Sequence, residues 1–449
     1  MLPVWGEENI ASDEIINTIE ESNYLLEKDS KLSRSVYDNI LIKSPYDKFS
    51  EMTLTHNYIY IGSPIKALEE LDNADPSLKI QVLKAKAFYN MEMYEESYKV
   101  LDTLPQVEEV VKLKNNINKQ RGYNFATGYE FYYQKLNEEF KLDSSKIAFV
   151  NSAYYKNMQI YLDYVMHLYT SGRLSGYNNN ALTNVTNEIR VGTIGRINPH
   201  FALRGDLGVK FFHDCGGMLL TNSWVKYFLN DDVIFTLGFT RNNAEQSFLS
   251  AVGLMIDDRF VGQVANNRLY AGSTIRFKNK NYVFFQGALG TKEGKNLCTN
   301  LYWDGTLGLG KIIRYDLNRP YLQKISIDAI SYQSGYQRNL EKIYDSSGNL
   351  YGGYFSPVWY SDNTLNIYFS GSSKKRNFSY GLGFFGGWQF AIKPQQSFFI
   401  WGSSLYSKYR LNDHLSAELQ YRNYRYANVT RYQVVFDLVV TIFKKEKPT

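Results

Sequence analysis

From Tyr123 almost to the C-terminus, apolar and polar residues alternate with a period of two, the pattern of strands that turn one face to apolar surroundings and the other to water. We read sixteen such runs, at about 123–134, 146–155, 159–170, 183–194, 200–213, 219–229, 232–241, 265–278, 281–291, 296–309, 320–334, 364–371, 377–390, 398–410, 413–425 and 430–443. In IYLDYVMHL, Ile160, Leu162, Tyr164, Met166 and Leu168 make an apolar side, while Tyr161, Asp163 and His167 face the other way. In FALRGDLGVKF, the row Phe201, Leu203, Leu207, Val209 and Phe211 opposes Arg204, Asp206 and Lys210. In LSAELQYRNY, Leu415, Ala417, Leu419 and Tyr421 oppose Glu418, Gln420, Arg422 and Tyr424.

What lies against the apolar side follows from composition. The 449 residues include 38 tyrosines and 27 phenylalanines, although the mean hydropathy is only -0.38. No stretch approaches the roughly 20 apolar residues of a membrane helix. A membrane barrel escapes that test, because only every second residue of each strand meets lipid, and aromatic residues collect at its strand ends as interfacial girdles. Bacterial single-chain barrels also have even strand numbers. The expected fold is therefore mainly β, a transmembrane antiparallel β-barrel of about 16 strands preceded by a short α-helical segment. The last run, TRYQVVFDLVVTIF, has Tyr432, Val434, Phe436, Leu438, Val440 and Ile442 in one apolar row and resembles a closing strand.

Up to Arg121 the period is three to four, and the chain is rich in Glu, Lys and Leu. In QVLKAKAFYNMEMYEESYKVLDTLP, Ala85, Phe88, Tyr94, Ser97, Leu101 and Pro105 fall where a tetratricopeptide (TPR) helix pair places small, aromatic, aromatic, small, large and terminating residues. A plain helical hairpin is the other reading. We expect three parts: a periplasmic TPR-like segment over 1–121, an outer-membrane β-barrel over 122–443 and a polar tail over 444–449. Such a barrel is exported, yet MLPVWGEENIASDEI has no basic and apolar leader pattern. The sequence is therefore expected to be a mature form or a piece of a longer one.

With the helical segment in the periplasm, strand one runs outward. The two longest connections, about 242–264 and 335–363, then follow outward strands, and the turns at Lys156-Asn157, Asn230-Asp231 and Asn279-Lys280 follow inward ones, as in outer-membrane barrels. The polar sides of the strands predict a lumen lined by Glu130, Tyr161, Asp163, Glu188, Arg190, Arg204, Asp206, Lys210, Tyr270, Arg276, Asn300, Asp328, Glu418, Gln420 and Arg422. In the second long loop Tyr351, Tyr354, Phe355, Trp359 and Tyr360 cluster around Pro357, and we expect this block to fold over the mouth as a gate; the other reading is a rim ornament packed on neighbouring loops.

Both long loops carry further signals. RNNAEQSFLSAVGLMIDDRFVGQV has Arg241, Ser247, Leu249, Ser250, Gly253, Asp257 and Gly262, and GGYFSPVWY has Gly353, Tyr354, Phe355, Ser356, Pro357 and Tyr360. These resemble two blocks of the C-terminal domain of the cellulose synthase operon protein C family. Ala251 stands where that family has Tyr, and Gln263 where it has Trp or Gly. The resemblance implies a TPR array leading into a sixteen-stranded outer-membrane channel that exports cellulose or a related glycan. It also implies an exported polysaccharide, outer-membrane lipid and periplasmic or inner-membrane synthase components as partners, the last through the TPR-like segment. The alternative is an adhesin or phage-receptor-like barrel that exports no polymer.

Other chemistry has little support. Lys+Arg 50 against Asp+Glu 45 gives a scattered charge of +5, without the basic patch of a nucleic-acid binder. Cys215 and Cys298 form no CxxC, and His56, His167, His200, His213 and His414 are dispersed, so no metal or other cofactor is expected. Asp257-Asp258 reads as a solvated turn, and GLGFFGG lies within a strand run with no helix after it, unlike a phosphate loop. We expect no catalytic residues and no enzyme.

Overall fold

The computed structural model describes residues 64–442 apart from 73–77, 136–140, 174–180, 214–215, 257–258, 278–280, 316–320, 340–355, 374–376, 393–395, 413 and 427–428. Four helices come first: α1 (Pro64–Leu71), α2 (Leu78–Asn90), α3 (Tyr94–Asp102) and α4 (Glu108–Gln120). Then come β1 (Tyr123–Lys135), β2 (Leu142–Tyr155), β3 (Met158–Arg173), β4 (Ala181–Asn198), β5 (Phe201–Phe212), β6 (Gly216–Phe228) and β7 (Val233–Asn243). After a one-turn helix α5 (Phe248–Ala251) and a short β8 (Leu254–Ile256), the chain resumes with β9 (Arg259–Arg276), β10 (Asn281–Lys295), β11 (Asn300–Tyr315) and β12 (Lys324–Tyr336). It ends with β13 (Trp359–Ser372), β14 (Phe378–Ile392), β15 (Gln396–Arg410), β16 (Leu415–Tyr426) and β17 (Val429–Ile442).

Each long strand is antiparallel to its neighbours in the chain, β7 pairs with β9 past the short β8, and β17 returns to β1 from Tyr123↔Ile442 to Lys135↔Thr430. Sixteen strands thus close into one antiparallel barrel without a free edge. The alternation decides which face goes out. On β3, Ile160, Leu162, Tyr164, Met166 and Leu168 are 36–48% exposed, whereas Tyr161, Asp163 and His167 are at most 3% exposed. On β17, Tyr432 and Phe436 are exposed and Gln433 and Asp437 buried. An apolar outer surface carried around a closed barrel suits lipid, since every backbone donor and acceptor is satisfied within the ladder. No helix among the described residues is long and apolar enough to cross a membrane.

Several strands outrun their hydropathy pattern. β4 covers Ala181–Asn198, although its alternation is legible only over 183–194, and β9 begins at Arg259 rather than 265. Ladder hydrogen bonds continue beyond the apolar belt, where neither face has to suit lipid. For the same reason β12 extends to Tyr336 and β13 starts at Trp359, so the second long connection is shorter than its expected 335–363.

α2 and α3 form a hairpin at the barrel end with the short turns. Ser97 Oγ donates to Ala85 O at 2.6 Å, a contact that two small side chains permit. Tyr94 and Leu101 pack there with Val110 and Ile117 of α4. The hairpin turn places Glu92 at φ 60°, with Met91 and Met93 buried on either side of it.

Candidate functional site: the barrel interior

Sixteen strands leave an interior too wide for wall side chains alone to fill. In this chain two segments enter it, one from each end.

At the helix end, Ile65 and Leu68 of α1 and Ala87, Met91 and Met93 of the hairpin form one apolar cluster with wall residues. The wall side comprises Ala126, Val150, Tyr161, Ile194, Ala202, Trp224, Phe228, Ile234, Tyr270, Ala288 and Val439. Polar contacts hold the fit: Ile65 N donates to Asp231 Oδ1 at 3.1 Å, Glu95 N donates to Asn157 Oδ1 at 3.0 Å, and Asn157 Nδ2 donates to Glu96. The lumen expected to be polar is apolar at this end, where the helices cover a ring of apolar wall residues.

From the other end the connection between β7 and β9 folds inward. Its α5 carries a reciprocal cap, in which Ser247 Oγ accepts from Ser250 N at 3.1 Å and Ser250 Oγ accepts from Ser247 N at 2.9 Å. Phe248, Leu249, Ala251, Val252 and Leu254 are buried against Leu142, Tyr169, Phe212, Met218 and Leu220 of the wall. Gly262 has φ +114°, and a Cβ there would sit 2.2 Å from Leu249 O, so glycine permits this close return. Ala251 is wholly buried, so a tyrosine at this position would need space that the packed cluster does not leave.

Glu245, at the base of this segment, meets Lys146 at 2.9 Å, Lys210 at 3.0 Å and His167 at 3.8 Å, and accepts from Tyr169 Oη at 2.6 Å. Burial alone would raise its carboxyl pKa, but the cations Lys146 and Lys210 hold it well below the usual carboxylate range. The contacts continue along the wall. Lys146 is 3.6 Å from Glu130, His167 is 3.4 Å from Glu188, Arg190 bridges Glu188 and Asp206, and Arg204 and Tyr161 both donate to Asp206. Gln246 is fastened by Lys292 Nζ of β10, which donates to its side-chain oxygen, and by Gln134 Nε2 of β1, which donates to its backbone carbonyl.

The residues expected to line the lumen thus fall into groups. Glu130, Tyr161, Glu188, Arg190, Arg204, Asp206 and Lys210 meet in the network around Glu245, with Asp163 buried beside Arg190 in register. Tyr270 packs in the helix-end cluster, while Arg276 lies at that rim, 3.8 Å from Asp232. Asn300 sits at the opposite rim and exchanges hydrogen bonds with the Arg338 backbone at 2.8 and 3.0 Å. Asp328 accepts from Tyr282, Glu418 pairs with Lys408, and Gln420 and Arg422 are buried on the inward face of β16.

Of the expected gating block, Tyr351, Tyr354 and Phe355 lie outside the described residues. Pro357 is buried and accepts from Tyr336 N. Trp359 and Tyr360 are corrected from loop to wall: Trp359 pairs with the exposed Ile392 on the outside, and Tyr360 is buried facing inward. Sequence reasoning missed Lys146, Tyr169 and Glu245, and also Asn242 and Asn243, which accept from Arg190 and Lys210 at 3.1 and 2.8 Å. Lys146 on β2 and Tyr169 on β3 follow the strand alternation, Lys146 opposite Glu130 in register and Tyr169 on the buried face of Tyr161 and Asp163. Glu245 lies in a loop, where no periodicity indicates direction.

No family model matches the chain, and no curated protein matches it. Among solved structures it is similar to a "Bacterial polysaccharide outer membrane secretin", at 11% identity and a TM-score of 0.53 over 72% of this chain and 99% of that one. Pseudomonas aeruginosa OccK3 (OpdO) and OprD give 9% and 8% identity with TM-scores of 0.37 and 0.36, each over 72% of this chain and 96% of the other. With the polysaccharide secretin the chain shares an outer-membrane β-barrel fold.

Proposed function

We propose that this protein is an outer-membrane channel that passes an exopolysaccharide, cellulose or a related glycan, from the periplasm to the cell surface. In this reading α1–α4 face the periplasm and offer a docking site for synthase components, and the long connections face outward. The observation that carries it is the arrangement of the interior: a sixteen-strand wall too wide to be a packed core, narrowed by separate segments at each end. A barrel built only as an anchor for adhesion needs no such paired closures. The secretin likeness agrees with the reading at the level of fold, and the blocks around Ser247 and Pro357 supply the glycan. Tyr351, Tyr354 and Phe355 of the second long connection are proposed as an additional cover of the outer mouth.

The test has two parts. The purified full chain should give discrete conductance steps in a planar bilayer, and cells lacking it should retain the glycan instead of displaying it. Absence of conductance together with unchanged surface glycan would favour the non-exporting adhesin or receptor.

A further inference from the structure

Inward-facing aromatic rings differ in exposure. Under the helices and the α5 segment they are sealed: Tyr161, Tyr169 and Tyr270 are at most 6% exposed. On β13 to β16, Tyr368, Phe385, Tyr406 and Tyr424 face inward and stay partly exposed. Their direction follows from register, because directly paired residues share a face. Tyr368 pairs with the buried Ser326, Phe385 with the buried Asn366, Tyr406 with the buried Gln420, and Tyr424 with Gly402, which also pairs with Phe385.

The four rings are spread along the barrel axis. Tyr406 and Tyr368 lie four residues from the helix-end termini of their strands, Arg410 and Ser372. Phe385 is at the middle of β14, seven residues from both Phe378 and Ile392, and Tyr424 is two residues from the far terminus, Tyr426. The rings lie along the wall. A Cβ on Gly402 would come within 2.3 Å of the Phe385 ring and one on Gly383 within 3.0 Å of Tyr368, so glycines of the next strand make room for them. Phe385 and Tyr424 are 5.2 Å apart between centroids. Polar groups accompany the rings: Tyr406 Oη donates to Glu418 at 3.3 Å, and Asn366 and Gln420 are buried beside them.

We propose that the β13–β16 wall is the path of the polymer, with Tyr406, Tyr368, Phe385 and Tyr424 as successive stacking platforms for an uncharged glycan. This rests on the export reading and gives it a location, opposite the charged network around Glu245. Sugar rings present C–H faces that stack on aromatic faces, while their hydroxyls turn to neighbouring amides and carboxylates. Several weak platforms in series hold a chain without trapping it, the condition for conduction through any multi-site pore.

Cellohexaose added to the reconstituted full chain should block the current reversibly. Phe385→Ala and Tyr406→Ala should each raise the half-blocking concentration roughly tenfold, the scale of one lost stacking contact. Phe385→Trp should keep the block, and heat-modifiable gel migration verifies that each variant has assembled. A wild-type channel that conducts but ignores cellohexaose, or alanine variants blocked as strongly as wild type, would overturn the path and leave export standing. A wild type that never conducts would overturn both.

Discussion

Glu245 is one side chain in a connection, yet two lysines, a histidine and a tyrosine of the wall converge on it. Removing one partner of a buried ion pair strands the other charges, at a cost of roughly 3 kcal/mol or more. Glu245→Gln should therefore shift the inserted segment toward release on the order of a hundredfold, read as a rise in open probability at neutral pH with normal barrel assembly. The acid dependence has a definite sign. Because the folded-state pKa is depressed, the stabilisation is complete above the ordinary carboxylate value and is lost only as pH falls through the depressed one. Wild type should release the segment through this group only in strong acid, whereas Glu245→Gln should gain nothing further from it on acidification. At this scale the sequence was legible wherever a strand imposed alternation: Arg204, Asp206 and Lys210 point as their period demands. Glu245 obeys no period, and only the fold discloses its direction.

Among the elements, the helical segment was legible in type and not in place. Its three-to-four periodicity marks helices, and the small residues Ala85 and Ser97 mark where two of them touch. That the hairpin enters the barrel was written on the other partner. Val150, Ile194, Trp224 and Ile234 occupy inward positions where a water-facing row would carry polar side chains, and such apolar interruptions call for a cover. Strand ends were misjudged where pairing outlasts the apolar belt, which moved Trp359 and Tyr360 from loop to wall. Met91 and Met93 are 1% and 2% exposed in the helix-end cluster, and burying each contributes roughly 1.5–3 kcal/mol. Met91→Asp with Met93→Asp reverses that gain by placing charge against apolar wall. The helices should leave the mouth, read as faster proteolysis before Tyr123 and a higher conductance, while the barrel keeps its heat-modifiable migration. Conductance unchanged after proven release of the helices would show that they do not obstruct the lumen.

For the whole molecule, the two closures occupy opposite ends of one passage and meet, among the described contacts, at Tyr161, which packs in the helix-end cluster and donates to Asp206 of the charged network. One is an apolar seal made by Ile65, Met91 and Met93; the other is an ion-paired anchor at Glu245 with the α5 cluster above it. Obstructions at two ends of a pore act as resistances in series, so relieving one leaves the current limited by the other. Glu245 and the two methionines touch different wall residues, so the free energies of releasing the two closures add. Combining Glu245→Gln with Met91→Asp and Met93→Asp should therefore give a conductance well above the sum of the two separate gains. Measured in one bilayer at one salt concentration, each partial variant should show a modest step and the combined variant a large one. A combined variant no more conductive than the better partial variant would mean that only one end closes the barrel, and export would then need a single release rather than two.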